Sequence, residues 1–212
     1  MIYLSYYRLT TRLSAEIFDQ LMQTLPQFLQ QKILKFRNWQ DAERTLAGNI
    51  LLMRALQALG RNHYSLDNLK YTEFQKPYLD EHINFNISHS GEYIMCAISE
   101  TDGVGVDVEE IKELPIEDFT NLFAPVEWNE VMDGDDRLRA FFTLWTKKEA
   151  FLKLIGCGLS QPLNEVVIFE NKINWEGRNC FLHEIKLDPQ HIAYICSDHD
   201  SPTIKLEEIK LS

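Results

Sequence analysis

The residues of this chain best suited to chemistry are three carboxylates and one basic, hydroxyl-rich run. Asp107 and Glu109 stand two apart in "GVGVDVEE", residues 103–110, where valines alternate with other residues. That pattern reads as a strand, and a strand turns alternate side chains to opposite faces, so the two acids point the same way. A third acid, Glu149, interrupts an apolar stripe. In "DDRLRAFFTLWTKKEAFLKLI", about 135–155, Leu138, Phe142 and Trp145 recur at helical spacing, and positions 149 and 152 come next; Leu152 fits and Glu149 does not. A carboxylate on a core-facing stripe is costly unless a cation meets it. Lys153, one turn on, is one candidate cation, and a metal ion is the other. The plainer alternatives are that Glu149 sits at the edge of the buried face and that Asp107 and Glu109 lie on a solvated strand face. Gly103 and Gly105 leave room for a close approach, which weighs toward a site. Three carboxylates without histidine or cysteine ligands favour a hard ion, of which Mg²⁺ with retained waters and a substrate phosphate is the usual case.

The basic run precedes the acidic strand, in "QKPYLDEHINFNISHSGEY". Lys76-Pro77 is an extended, rigid dipeptide with one positive charge. Asn86, Ser88, His89 and Ser90 then form a donor-rich run ending at Gly91, suited to phosphate oxygens. An ordinary strand-end turn is the alternative. The other histidines show no metal-ligand spacing.

The elements that must position these groups are short and regularly punctuated. "IYLSYYRL" reads as a strand, Ser14 as the cap of helix "AEIFDQLMQTL", and Pro26 as the start of helix "PQFLQQKILKF". A third helix, roughly 40–59, stops at Gly60. β-like runs follow: "LKYTEF", "INFNIS", "EYIMCAIS" and "GVGVDVEEI". The pattern then restarts with helical "IEDFTNLF", "PVEWNEVM" and the long helix, followed by β-like "EVVIFE", "CFLHEIKL", "HIAYICS" and "TIKLEEIKL". Helices then strands, twice, predicts an α+β chain of two similar halves, 1–104 and 105–212, with the acidic strand near their seam, where ligand pockets tend to form.

The bulk numbers narrow the function. At 212 residues with 45% hydrophobic content, the chain can bury a proper core, so disorder is a poor reading. Lys plus Arg total 21 against 32 for Asp plus Glu, and a net charge of −11 argues against coating nucleic acid. No leader pattern opens the sequence and no apolar run approaches the ~18 residues of a membrane span. Cys96, Cys157, Cys180 and Cys196 include no C-x-x-C pair, and two lie in apolar runs, which predicts buried reduced thiols and a cytoplasmic protein.

Taken in order, "KP", "FNISHS", "GVDVEE" and "WTKKEAFLK" resemble the motifs of the 4′-phosphopantetheinyl transferases, specifically the surfactin-synthetase-activating type. That family is marked by a G-x-D-x-E strand and a W-x-x-K-E-x-x-x-K helix. Here they read Gly105-Val-Asp107-Val-Glu109 and Trp145-Thr-Lys-Lys148-Glu149-Ala-Phe-Leu-Lys153, and the likeness spans about 30–170. The resemblance implies a pseudo-twofold pair of α+β halves with coenzyme A and Mg²⁺ (or Mn²⁺) in the cleft between them. It implies transfer of 4′-phosphopantetheine to a serine of an apo acyl, peptidyl or aryl carrier protein, a holo-[acyl-carrier-protein] synthase activity that releases adenosine 3′,5′-bisphosphate.

Residue by residue, the resemblance puts Asp107, Glu109 and Glu149 on the metal ligands and Lys153 near the pyrophosphate. It puts Ser88 and His89 on the 3′-phosphate end and nucleotide, with Lys76, Pro77, Arg44, Thr45 and Lys32 also around the nucleotide. Glu149 is the first candidate for the base that takes the serine proton and Glu127, which matches a glutamate often found there, the second. Two departures stand out: Leu29 where some members have a second lysine, and Gln75 where many have glycine. Family members of this size act as monomers, without nucleic acid or membrane, and the segment "IKELPIEDFTNLFAPVEW" would offer an apolar docking face to an acidic carrier. The rival reading is a Mg²⁺-dependent phosphohydrolase acting on a nucleotide-like pyrophosphate, which needs the acids but not "KP" or "FNISHS". A catalytically silent carrier-binding protein is the third.

Overall fold

The computed structural model describes residues 1–211, the side chain of Leu159 apart; Ser212, the end of the expected second half, lies outside them. The first half runs β1 (Ile2–Arg8), α1 (Ala15–Gln23), α2 (Gln27–Ile33), α3 (Trp39–Ala58), the short β2 (Lys70–Tyr71) and β3 (Pro77–Tyr78), then β4 (Asn84–Ser90) and β5 (Tyr93–Ser99). The second runs β6 (Val104–Glu110), α4 (Pro125–Asp133), α5 (Arg137–Ile155), β7 (Lys172–Trp175), β8 (Arg178–Glu184), β9 (His191–Ser197) and β10 (Ile204–Glu208). Ser14 caps α1 by accepting from the Ile17 amide at 3.2 Å, and Asp136 caps α5 by accepting from the Arg139 amide at 3.0 Å. α5 ends on Gly156 at φ 77°, a left-handed turn that glycine makes without steric cost.

The two halves repeat one plan. In each, an opening strand pairs antiparallel with the second strand of a later hairpin, β1 with β5 and β6 with β9, and a long helix covers the sheet. The sheet orders are β10-β1-β5-β4 and β6-β9-β8-β7. This is the expected α+β pseudo-twofold arrangement.

Strand β5 is buried on both faces, and its alternation divides the core. Ile94, Cys96 and Ile98 pack under α3, while Tyr93, Met95 and Ala97 join Val104, Val106 and Val108 of β6 and Ile195 of β9 in a central layer between the halves. Because the valines of β6 face that layer, Gly105, Asp107 and Glu109 face α5. Gly105 is where the helix crosses: a Cβ there would fall 2.1 Å from the Ala150 carbonyl oxygen and 2.4 Å from the Leu154 nitrogen. The room left by this glycine is thus filled by the α5 backbone.

Three expectations need correction. "EVVIFE" forms no strand: Leu163–Glu165 is a helical turn, and Phe169 meets Lys172 in an isolated bridge. Its backbone is claimed from below, since Lys148 Nζ donates to the Leu163 and Val166 carbonyls and the Ile168 amide donates to Glu127 Oε1. α2 stops at Ile33 instead of Phe36, where the chain tightens into i→i−3 bonds at Lys35 and Phe36. β10 pairs parallel with β1, from Ile2↔Ile204 to Tyr6↔Glu208, so a division at 104/105 leaves β10 in the second part of the sequence but in the first sheet. Cys96, Cys180 and Cys196 are buried and Cys157 partly so, all as free thiols. No helix among the described residues is long and apolar enough to cross a membrane.

Candidate functional site

β4 and β6 are edge strands of different sheets that lie side by side, and polar side chains join them. Asn86 Oδ1 accepts from the Val106 amide at 3.1 Å, Ser88 Oγ from the Val108 amide at 3.4 Å, and Ser90 Oγ from the Glu110 amide at 3.0 Å. The same hydroxyls reach the acids. Ser88 donates to Asp107 Oδ1 and Ser90 to Glu109 Oε2, each at 2.8 Å.

α5 brings the opposite charge. Lys153 Nζ lies 2.6 Å from Asp107 Oδ1 and donates to Ser88 Oγ at 2.8 Å. Glu149, one turn earlier, has its pKa pushed up to about 6, first by burial and then by the charges of Asp107 and Glu109, against the pull of Lys153. Burial and the neighbouring Asp107 also raise Glu109, opposed by the Ser90 hydrogen bond, Lys153 and a hydrogen bond from the Trp145 side chain. The three acids therefore share one electrostatic neighbourhood on the β6–α5 seam.

These residues suit a hard cation. Asp107 is 2% exposed, and its Oδ2 is buried without a hydrogen-bond partner, a costly state that a cation would relieve. The all-oxygen donor set fits Mg²⁺ or Mn²⁺. The trio is not tightly gathered, however. Among the described residues, the group whose ligand atoms all lie within 4.8 Å of one another is Glu92, Asp188 and His191. That group is partly engaged: Arg8 donates to Glu92 Oε1 at 2.6 Å, Tyr93 donates to Asp188 Oδ2 at 3.1 Å, and His191 Nδ1 lies 2.9 Å from Asp188 Oδ1, while His191 Nε2 is buried without a hydrogen-bond partner.

On the face of β4 opposite Ser88 and Ser90, a cavity of about 240 Å³ opens between α3, β4 and the β2–β3 hairpin. Lys32, Arg44, Thr45, Pro77 and His89 all line it, which unites five of the residues singled out around a nucleotide. Lys32 Nζ sits 5.6 Å over the Tyr71 ring, and Arg44 donates to the Gly91 carbonyl and to Asp41. Desolvation, then the charges of Arg44 and Lys153, lowers the pKa of His89 and favours the neutral ring. Among the larger clefts, those of about 590 and 650 Å³ around Trp39 and around Lys147 are lined by none of Asp107, Glu109 and Glu149, although Glu127 lines the second.

Three expected site residues stand elsewhere. Ser88 is 5% exposed and is held among Asp107, Lys153 and the β6 backbone. Lys76 donates to the Leu154 carbonyl at 2.9 Å, bracing the end of α5, and burial lowers its pKa. Glu127 is not with the other acids: it is 4% exposed, accepts from Lys148 Nζ at 2.7 Å, and takes the Ala124 and Ile168 amides. Both oxygens of this second candidate base thus accept hydrogen bonds, Oε2 from Lys148 and Ala124 and Oε1 from Ile168. Sequence reasoning missed this pair and the bracing work of Ser90. The period-two spacing of Asn86, Ser88 and Ser90 was the available signal for the latter.

Known proteins match this chain across both halves. Residues 103–203 match the model of the 4'-phosphopantetheinyl transferase superfamily, and residues 12–101 match that of the 4'-phosphopantetheinyl transferase N-terminal region. The 4'-phosphopantetheinyl transferase gsp of Aneurinibacillus migulanus is 33% identical over 175 residues, covering 81% of this chain and 73% of that protein. The 4'-phosphopantetheinyl transferase Sfp of Bacillus subtilis (strain 168) is 28% identical over 205 residues, 88% of each. A further Bacillus subtilis 4'-phosphopantetheinyl transferase is 30% identical with the same coverage. With two family models tiling both halves and relatives matched across most of their own length, the chain belongs to the 4'-phosphopantetheinyl transferases.

Proposed function

We propose that this transferase moves the 4′-phosphopantetheine of coenzyme A onto a serine hydroxyl of an apo acyl, peptidyl or aryl carrier protein, releasing adenosine 3′,5′-bisphosphate. The observation that carries the reading is the buried, unpartnered Asp107 Oδ2 beside Glu109 and Glu149, with a basic cavity of nucleotide-binding character on the opposite face of β4. Lys32, Arg44, Thr45 and Pro77 hold the nucleotide, with His89 toward its 3′-phosphate. Asp107, Glu109 and Glu149 would hold Mg²⁺, or Mn²⁺ in its place, which when bound would supply positive charge against that of the pyrophosphate.

The chain's own groups do the rest. Lys153 stands at Asp107 and offsets charge as the pyrophosphate bridge breaks. The serine oxygen attacks the β-phosphorus, the bond to the bridging oxygen breaks, and the electron pair leaves with adenosine 3′,5′-bisphosphate. Glu149 accepts the serine proton, its proton affinity raised in the metal-free chain by burial and the neighbouring Asp107. The exposed Leu122 (40%), just before α4, and Val126 (57%), in its first turn, offer the carrier an apolar contact on a chain of net charge −11. The chain acts as a monomer, its two halves supplying both sides of the site.

The test is incubation with coenzyme A, Mg²⁺ and an apo carrier. A phosphopantetheine mass added to the carrier is expected. Loss of coenzyme A with an unmodified carrier would instead indicate a phosphohydrolase, and full activity in Asp107→Ala would refute the site.

A further inference from the structure

We propose that Ser90 is a positioning residue for Glu109, as Ser88 is for Asp107, and that these two hydroxyls select which carboxylate oxygens remain to take a cation. The inference rests on the reading that Asp107, Glu109 and Glu149 hold the ion.

The argument starts from a backbone problem. β6 pairs with β9 on one side only, so alternate amides on its other edge need partners. No strand supplies them. Asn86, Ser88 and Ser90, at period two on β4, each present one oxygen to Val106, Val108 and Glu110 in turn. A serine oxygen has two lone pairs and one proton. Ser88 spends its lone pairs on the Val108 amide and the Lys153 ammonium, so its proton goes to Asp107 Oδ1. Ser90 accepts from the Glu110 amide at 3.0 Å and gives its proton to Glu109 Oε2 at 2.8 Å.

Because each oxygen is anchored to a backbone amide, each O–H has one direction, and each serine holds one oxygen of its carboxylate. Asp107 Oδ2 is left without a partner, and Glu109 has, besides Ser90, only the Trp145 side chain to hold it. Glu109 needs this hold more, because Asp107 also has Lys153 on its bound oxygen, whereas a glutamate has an additional rotatable bond. Groups that orient metal-binding side chains in this way are worth about 10- to 100-fold in metal affinity.

The experiment measures Mn²⁺ binding to the coenzyme-free protein by electron paramagnetic resonance titration, with Mg²⁺ competition, and thermal unfolding in parallel. Ser90→Ala is expected to weaken Mn²⁺ binding at least about tenfold. Ser90→Thr, which keeps the hydroxyl and suits a strand, is expected to bind within about threefold of the parent. If Ser90→Ala lowers the melting temperature but binds Mn²⁺ like the parent while Asp107→Asn does not, Ser90 is merely structural and the proposal fails alone. Equal weakening in the alanine and threonine variants also overturns it, since the hydroxyl is then not the agent. A parent protein that takes up no Mn²⁺ defeats the metal reading, and this inference with it. If Ser90→Ala does not fold, Ser90→Cys, a weaker donor and acceptor, is expected to bind Mn²⁺ between the parent and Asp107→Asn, and parent-like binding overturns the proposal.

Discussion

Replacing Gly105 by alanine tests how the site is held together. The added methyl would lie 2.1 Å from the Ala150 carbonyl oxygen, 2.4 Å from the Leu154 nitrogen and 3.0 Å from the Leu154 Cα. All three are α5 backbone atoms, so no rotamer change can relieve the contact. The helix must withdraw from β6 by about 1 Å, or the strand must buckle by as much. Overpacking of this kind costs ~1–3 kcal/mol or more. The functional cost should be larger in proportion, because Glu149 precedes Ala150 and Lys153 precedes Leu154. A shift of about 1 Å in catalytic groups can lower a rate ~100-fold. Urea unfolding followed by circular dichroism gives the first quantity, and mass-spectrometric counting of modified carrier gives the second. Gly103→Ala is the control, since its methyl would meet only the ends of the Leu154 and Asp198 side chains, at 2.9 and 3.1 Å. Its expected cost is below ~1 kcal/mol. Parent-like stability and rate in Gly105→Ala would show that the strand–helix contact does not set the site's geometry.

Other consequences follow from the same contacts. Glu127→Gln leaves the fully buried Lys148 ammonium uncompensated and should cost ~3–5 kcal/mol, part of it recovered when Lys148→Met is added; a lost rate at unchanged unfolding midpoint would instead favour Glu127 as the base. Lys76→Met removes the donor at the Leu154 carbonyl and should cost ~1–2 kcal/mol and speed amide exchange in the last turn of α5; unchanged exchange there would contradict the bracing role. The folded-state pKa of Glu149 lies near 6, above its ordinary 4.5, so the fold favours the protonated acid. In metal-free protein this contribution is fully present below about pH 4.5 and lost as pH rises through about 6, amounting to roughly 2 kcal/mol. Urea midpoints from pH 4 to 7 should therefore fall more steeply for the parent than for Glu149→Gln, and parallel curves would refute the shift.

The helices with strong caps were legible because the signal is local. Ser14, Gly60 and the apolar stripe of α5 name their own ends and faces. β4, β5, β6 and β9 were legible for the same reason, since alternation or a short apolar run marks them. The acidic pair was readable as co-facing, but not what it faces, because the valines that set the orientation pack against residues from the other half. "EVVIFE" misled because its apolar pattern suits a strand while its backbone partners, Lys148 and Glu127, lie 15 or more residues away in sequence. Lys76 and Ser88 show a related limit: residue type announces a polar role, but which polar atom is met depends on how α5 crosses β6.

The pairing of β10 with β1 links synthesis to assembly. β1 is made about 200 residues before its parallel partner, so one of its edges stays unmatched until residues 204–208 have emerged. Between these events the nascent protein carries a strand whose exposed rim invites the wrong neighbour. β10 thus acts as a latch, closing the first sheet with a segment that follows the whole of the second sheet in the chain.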